Sequence, residues 1–311
     1  MEEKKFMGVA IVTYNRENLL RECLECVFCQ SRLFDEVVVI NNCSTDGTKD
    51  YLENLKKNSK YENMTVIHTT KNLGGAGGFC LAVKEIYAKV DYLLLIDDDA
   101  MLNRLFLENI EKNMEDNILA YSGTVLTGGK IDTSHRRNLK NRTLMIKQDV
   151  EIERYKENSF LYELSTFCGL MISSELIKKI GFPKSEYFIW YDDTEYSLRI
   201  RRYTYIKNVN TATINHKAIS SISTNLNWKS YYGYRNSINM GKTYSRIPAV
   251  FTAYRYTYHL LRWIQYLIKS KIYKEKKEYY RASARLNLDV IIDSLKNKLG
   301  VSEKYYPGFK F

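Results

Sequence analysis

Val90-Asp91-Tyr92-Leu93-Leu94-Leu95-Ile96-Asp97-Asp98-Asp99-Ala100-Met101 decides how this chain is read. Tyr92 to Ile96 is an apolar run of strand length that ends in three consecutive carboxylates. A run apolar at every position fits a strand covered on both faces, in the middle of a parallel sheet. If the extended geometry persists, Asp97 and Asp99 point one way and Asp98 the other. Paired carboxylates at the carboxyl end of a buried strand make a hard-oxygen site suited to Mg²⁺ or Mn²⁺. The competing reading is a solvated acidic turn capping a helix over Leu102 to Met114.

Working back towards the start, Met7 to Tyr14 reads as a first buried strand, followed by a helix over Glu17 to Gln30. Glu36 to Ile40 is a second strand, running into the polar loop Asn41-Asn42-Cys43-Ser44-Thr45-Asp46-Gly47-Thr48 and a helix over Asp50 to Lys57. Thr65 to His68 is a third strand. It leads into Asn72-Leu73-Gly74-Gly75-Ala76-Gly77-Gly78-Phe79 and a helix reaching about Lys89. Alternating strands and helices predict an α/β fold with a mostly parallel sheet and right-handed crossovers. The glycine-rich stretch follows the third strand rather than the first, so it is no dinucleotide fingerprint. Gly74 and Gly75 would let backbone approach phosphates or a ribose; otherwise the glycines serve packing.

Composition narrows the class. The 311 residues can bury a substantial core, and six cysteines in a chain this long suggest no disulfide framework. Cys23, Cys26 and Cys29 are spaced like metal ligands, but they lie on an amphipathic helical pattern with no fourth ligand following. With a Met-Glu-Glu-Lys-Lys start and no run of eighteen apolar residues, the expectation is a cytoplasmic protein, peripheral on the inner face of the plasma membrane. The net charge is +11, and residues 241–311 hold 15 Lys and Arg against 5 Asp and Glu. That basic tail implies an anionic partner, and nothing upstream looks like a nucleic-acid motif.

Beyond the acids, Thr127 to Asn158 reads as a surface excursion, Ser165 to Ile172 as another buried strand and Ser174 to Ile180 as a short helix. Then comes Tyr187-Phe188-Ile189-Trp190-Tyr191-Asp192-Asp193-Thr194-Glu195, aromatics followed by acids, which suits a sugar site: rings cover C–H faces and carboxylates take hydroxyls. Trp190, Tyr191 and Asp192 are the candidate sugar contacts. His216 ends a further apolar stretch, and the polar run Ser220 to Asn227 suits a loop closing over a ligand. Arg235 is placed to pair with a phosphate, a surface salt bridge being the other reading. His68, His135 and His259 receive no role. From Ile247 on, aromatic and aliphatic residues interleave with Arg and Lys, as in an interfacial membrane helix or a dimerisation arm. The expected division is residues 1–240 and 241–311.

Ile11-Val12-Thr13-Tyr14-Asn15-Arg16, Val39-Ile40-Asn41-Asn42-Cys43-Ser44-Thr45-Asp46-Gly47-Thr48, Asn72-Leu73-Gly74-Gly75-Ala76-Gly77-Gly78-Phe79 and Leu95-Ile96-Asp97-Asp98-Asp99-Ala100 occur in that order. The chain resembles, over about residues 6 to 240, the inverting family 2 glycosyltransferases of GT-A fold, in particular the galactofuranosyltransferase and rhamnosyltransferase branch. The resemblance implies a mixed, mostly parallel Rossmann-like sheet flanked by helices. It also implies Asp193 as the general base, and His216 as a metal ligand beside Asp97 and Asp99. Donor contacts would come from Thr13, Asn15, Asn41, Asn72, Gly74, Gly75, Asp98 and Arg235. Asn41 stands where many relatives carry Asp. The implied partners are a UDP- or dTDP-linked sugar, UDP-galactofuranose before dTDP-rhamnose, and a lipid-linked saccharide acceptor of surface polysaccharide or capsule assembly. A membrane surface and a second copy remain possible further partners. A sugar-nucleotide-binding protein without catalysis is the alternative of another class.

Overall fold

In the computed structural model, which describes residues 4–217 and 225–309, the chain divides into two compact units. The first comprises Met1–Asn138, Gln148–Ser185 and Asp193–Ile219; the second comprises Leu139–Lys147, Glu186–Asp192 and Ser220–Phe311. The division therefore falls before the helix over residues 228–244, not at 240, and the second unit also draws on two inserts from upstream.

The first unit opens with the expected alternation. Strands β1 (Met7–Thr13), β2 (Glu36–Asn41), β3 (Met64–His68) and β4 (Tyr92–Asp97) are joined by helices α1 (Glu17–Phe28), α2 (Thr48–Leu55) and α3 (Gly74–Ile86). These four strands pair in parallel, in the order β4-β1-β2-β3. β1 is buried at every position, as a strand with both faces covered must be. α3 begins inside the glycine run rather than after it. A Cβ on Gly78 would lie 2.5 Å from Val12 of β1, and one on Gly77 2.7 Å from Leu73. Gly78 brings the helix against the strand and Gly77 lets Leu73 fold onto the helix start, so close packing outweighs their poor helix propensity.

After β4 the chain does not enter a long helix. It turns at Asp98–Asp99 into the short strand β5 (Ala100–Leu102), and α4 covers only Phe106–Glu111. β6 (Ala120–Thr127) and β7 (Lys130–Ile131) form a hairpin, followed by β8 (Arg136–Asn141), β9 (Ile146–Asp149), β10 (Ser159–Tyr162) and β11 (Leu164–Ser165). The expected single strand over 165–172 is two pieces, β11 and β12 (Leu170–Ser173), broken at Gly169 with φ 87°. Nor is the 127–158 stretch wholly superficial. Arg136 is completely buried, its guanidinium donating to the carbonyls of Gly123, Cys168 and His135.

α5 (Ser174–Ile180) and α6 (Asp192–Ile200) precede β13 (Ile206–His216), which completes the sheet in the order β10-β13-β6-β12-β4-β1-β2-β3. The register of β13 on β6 shifts between Val209 and Thr213, beside Gly123, where a Cβ would meet the Ala212 carbonyl at 2.1 Å. Beyond that irregularity His216 stands opposite Ala100 of β5 and Thr127 of β6. The mixed, mostly parallel sheet flanked by helices is the fold read from the sequence.

In the second unit α7 (Trp228–Tyr244), α8 (Pro248–Ile272) and α9 (Lys277–Leu295) pack around a core that includes Phe188, Tyr231, Tyr232, Ile238, Leu286 and Val290. No helix among the described residues is long and apolar enough to cross a membrane. Most of the Ser220–Asn227 run lies outside the described residues.

Candidate active site

The carboxyl ends of β1, β2 and β4 sit side by side, because Val12 pairs with Asp97 and Thr13 with Asn41. Open α/β sheets bind ligands at this end. The strand geometry stops at Asp97, so Asp98 and Asp99 are not split to opposite sides. Both reach one Arg16 nitrogen, Asp98 Oδ1 at 3.1 Å and Asp99 Oδ2 at 2.8 Å. Thr13, expected at the donor, donates its hydroxyl to Asp98 Oδ2 at 2.7 Å and so fixes the carboxylate instead.

His216 Nε2 stands 3.3 Å from Asp99 Oδ1, yet that oxygen is buried and makes no hydrogen bond. Burial and the neighbouring charges of Asp99 and Asp98 push the Asp97 carboxyl up to about 7. Burial lifts Asp98 to about 6 against the opposing pull of Arg16 and Thr13. Burial opposes the ionised form of Asp99 too, but His216 and Arg16 outweigh it and hold that group low. The imidazole of His216 rises in return, its own burial outweighed by Asp99. Asp97 and Asp99 both act on the His216 imidazole, and the buried Asp99 oxygen against it is a hard donor of the kind a divalent cation takes. Among the described residues no three such side chains already stand in coordinating geometry, and Arg16 supplies the countercharge.

His135, given no role from sequence, belongs here. Its ring meets that of His216 edge to face at 5.0 Å, and its Nδ1 is 2.7 Å from the Thr166 hydroxyl. Burial, with Arg136 and His216 nearby, pushes its pKa down to about 3, so it is a neutral wall against which His216 is oriented. No local signal marks it, because the contact joins the segment before β8 to the end of β13.

The asparagines form a second group. Asn15, in a left-handed conformation (φ 54°), accepts from the Thr45 amide at 2.7 Å and ties the loop after β1 to the loop after β2. Asn41 is buried, its amide against His68 at 2.9 Å and its oxygen accepting from Ser44. Asn72 caps the turn into α3 by accepting from the Gly74 amide, and Asn42 braces both through Asn72 and the Gly74 carbonyl. Gly74 needs its positive φ of 71°. Gly75 has open space where a Cβ would stand, so it is the glycine of the run that packing leaves free.

Asp193 is half-buried in the first turn of α6 and accepts from the amide and hydroxyl of Thr194. Its own carbonyl accepts from Ser197 Oγ, which in turn takes the Ser165 amide. Ser165 is next to Thr166, the partner of His135, so hydrogen bonds link the start of α6 to the wall of the acid cluster. Glu195 is fully buried and paired with Arg199 at 2.8 Å.

The remaining candidates lie in the second unit. Phe188, Trp190 and Tyr191 all have φ between 64° and 70°, an unusual run for bulky residues. Asn236 holds it, its amide nitrogen within 3.1 Å of the Tyr187, Ile189 and Trp190 carbonyls. Trp190 is 45% exposed and packs over Gly233, Tyr191 lies 4.3 Å from the Lys147 ammonium, and Asp192 is buried. Arg235 is 2% exposed and donates to the carbonyls of Gly300, Glu186 and Tyr187. Its guanidinium is thus taken up by backbone rather than held out for a phosphate.

Comparison with known proteins agrees with this architecture. The Glycosyl transferase family 2 model matches residues 8–177. The galactofuranosyltransferase GlfT1 of Mycolicibacterium smegmatis is 23% identical over 208 residues, 65% of this chain and 67% of that protein. A poly(ribitol-phosphate) beta-glucosyltransferase of Bacillus spizizenii is 37% identical over 95 residues, 30% of this chain but 14% of its own length. In fold, the chain is similar to GalNAc-T7 crystallised with UDP, GalNAc and Mn²⁺, with a TM-score of 0.66 at 13% identity, covering 96% of this chain and 58% of that one. With its acids at the carboxyl end of a GT-A sheet and the family's pattern running through more than half its length, this chain, which spans only part of several of the relatives it matches, belongs to glycosyl transferase family 2.

Proposed function

We propose that the chain is a metal-dependent, inverting glycosyltransferase that takes a sugar from a nucleoside diphosphate. The observation that carries this is the buried Asp99 oxygen without a hydrogen bond, facing His216 Nε2 beside two acids whose pKa values are raised. Asp97, Asp99 and His216 would hold Mg²⁺ or Mn²⁺, which when bound neutralises charge on the diphosphate leaving group. Thr13 and Arg16 keep Asp98 ionised and in place. Asn15, Asn41 and Asn72 shape the nucleotide side through the loops they tie, and Gly75 leaves room for close backbone approach. Asp193 takes the proton from the acceptor hydroxyl as it attacks the anomeric carbon from the opposite face. Trp190, Tyr191 and Asp192 would serve as acceptor contacts on the chemistry of their side chains.

Galactofuranose from UDP-galactofuranose is the preferred donor, supported by the GlfT1 relative, with dTDP-rhamnose second. The acceptor is a lipid-linked saccharide of surface polysaccharide assembly, which brings the protein to the inner face of the plasma membrane. Asp193→Asn tests the reading. Transfer, followed as nucleoside diphosphate release across a panel of nucleotide sugars, should fall about 10²–10⁴-fold while donor binding persists. Undiminished turnover would remove Asp193 from the chemistry.

A further inference from the structure

α8 is 25 residues long, about 37 Å at 1.5 Å per residue, and its two faces differ. Phe251, His259, Tyr266 and Ser270 recur on one side and are buried. Val250, Tyr254, Leu261, Ile264, Ile268 and Ile272 recur at helical spacing on the other, exposed by 42% to 64%. An apolar ridge of this length on a protein surface, interrupted only by Thr257, marks an interaction site.

Charge says what covers it. Pro248 to Ile272 contains no Asp or Glu, and the helix runs out into Lys271, Lys274, Lys276 and Lys277, all exposed, which outnumber the exposed acids Glu275 and Glu278 beside them. A second copy laid on this ridge would offer no acid from α8 to the basic side chains of the other, so no charge pairing would hold the two faces together. An anionic lipid surface complements both features: acyl and glycerol groups for the ridge, phosphates for the lysines. We propose that the outward face of α8 lies in the interface of an anionic bilayer, its axis in the membrane plane and the lysines of 271–277 against lipid headgroups. This gives the peripheral membrane location its surface; it rests on that part of the proposed function and not on the sugar chemistry.

The test is co-sedimentation of the full chain with vesicles of phosphatidylcholine, with and without phosphatidylglycerol. The native protein should sediment with the anionic vesicles, less so as salt is raised. Leu261→Glu with Ile264→Glu should weaken that binding by at least roughly tenfold. Reversing Lys274, Lys276 and Lys277 to Glu should abolish the preference for phosphatidylglycerol. All these positions are on the surface, so thermal melts and donor binding should match the native protein. Asp193→Asn protein should bind vesicles normally, which separates a failure of this proposal from a failure of the catalytic one. Native protein left in the supernatant, or variants that sediment like it, would overturn the proposal. So would light scattering showing a dimer that Leu261→Glu dissociates, since the ridge would then belong to a second copy.

Discussion

Two arginines divide the molecule's polar chemistry between them. Arg16 has its side chain 47% exposed and holds two carboxylates with one nitrogen at the carboxyl end of β4. Arg235 is almost completely buried and spends its guanidinium on backbone carbonyls, that of Gly300 and those of Glu186 and Tyr187 ahead of α6. The first sits among acids that repel one another and leave an oxygen without a hydrogen bond; the second sits in a network whose carbonyls are supplied with donors. A cluster with charge to spare is ready for a ligand, and a cluster that is satisfied is ready to hold a shape. The contrast shows that burial and the kind of partner, not residue type, separate a binding arginine from a scaffolding one.

That contrast can be broken in three ways. Arg235→Met should cost about 3 kcal/mol of stability in the C-terminal unit, because it strips donors from buried carbonyls. Chemical denaturation reads this directly. A changed KM for donor with unchanged stability would return Arg235 to the phosphate role read from sequence.

The same unit should weaken in acid by a comparable amount. His259 is buried, with Nδ1 2.8 Å from the Asn287 oxygen, and burial, with Arg255 and Arg262 close by, pushes its pKa down to about 4. Its folded pKa lies below the unfolded value, so the neutral imidazole contributes stability fully above about pH 6.5. That contribution is lost as pH falls towards 4, about 3 kcal/mol in all. His259→Gln should flatten the dependence over that window, and a variant as acid-sensitive as the native chain would assign the loss to other groups.

Arg16→Gln should change stability by less than about 1 kcal/mol, since a half-exposed ion pair is worth little. It should nevertheless tighten Mn²⁺ binding to the donor-free protein, measured by calorimetry, because a competing cation has gone. Weaker Mn²⁺ binding would show Arg16 to be part of the site's support rather than its occupant.

The parallel half of the sheet was legible in the chain. Met7–Thr13, Glu36–Asn41, Met64–His68 and Tyr92–Asp97 lie within a residue or so of their expected bounds; the inner strands β1, β2 and β4 are apolar because both faces are covered, and β3 is the partly buried edge. Legible too were the carboxylates at the end of β4 and the imidazole at 216 beside them. Arg16 had a signal that went unused: it follows β1 by three residues, and parallel pairing of β1 with β4 sets that segment beside Asp98 and Asp99.

What the sequence determined by itself is the layered α/β sheet and the identity of the acids at its carboxyl end, because burial periodicity and local composition are carried by neighbouring residues. Only the tertiary structure decided that His135 backs His216, that Arg136 is a core residue, that Asn236 holds the Trp190 loop and that Gly78 packs α3 on β1. Each of those depends on contacts between segments far apart in the chain, where burial and partner geometry choose among roles that a side chain's chemistry alone leaves open.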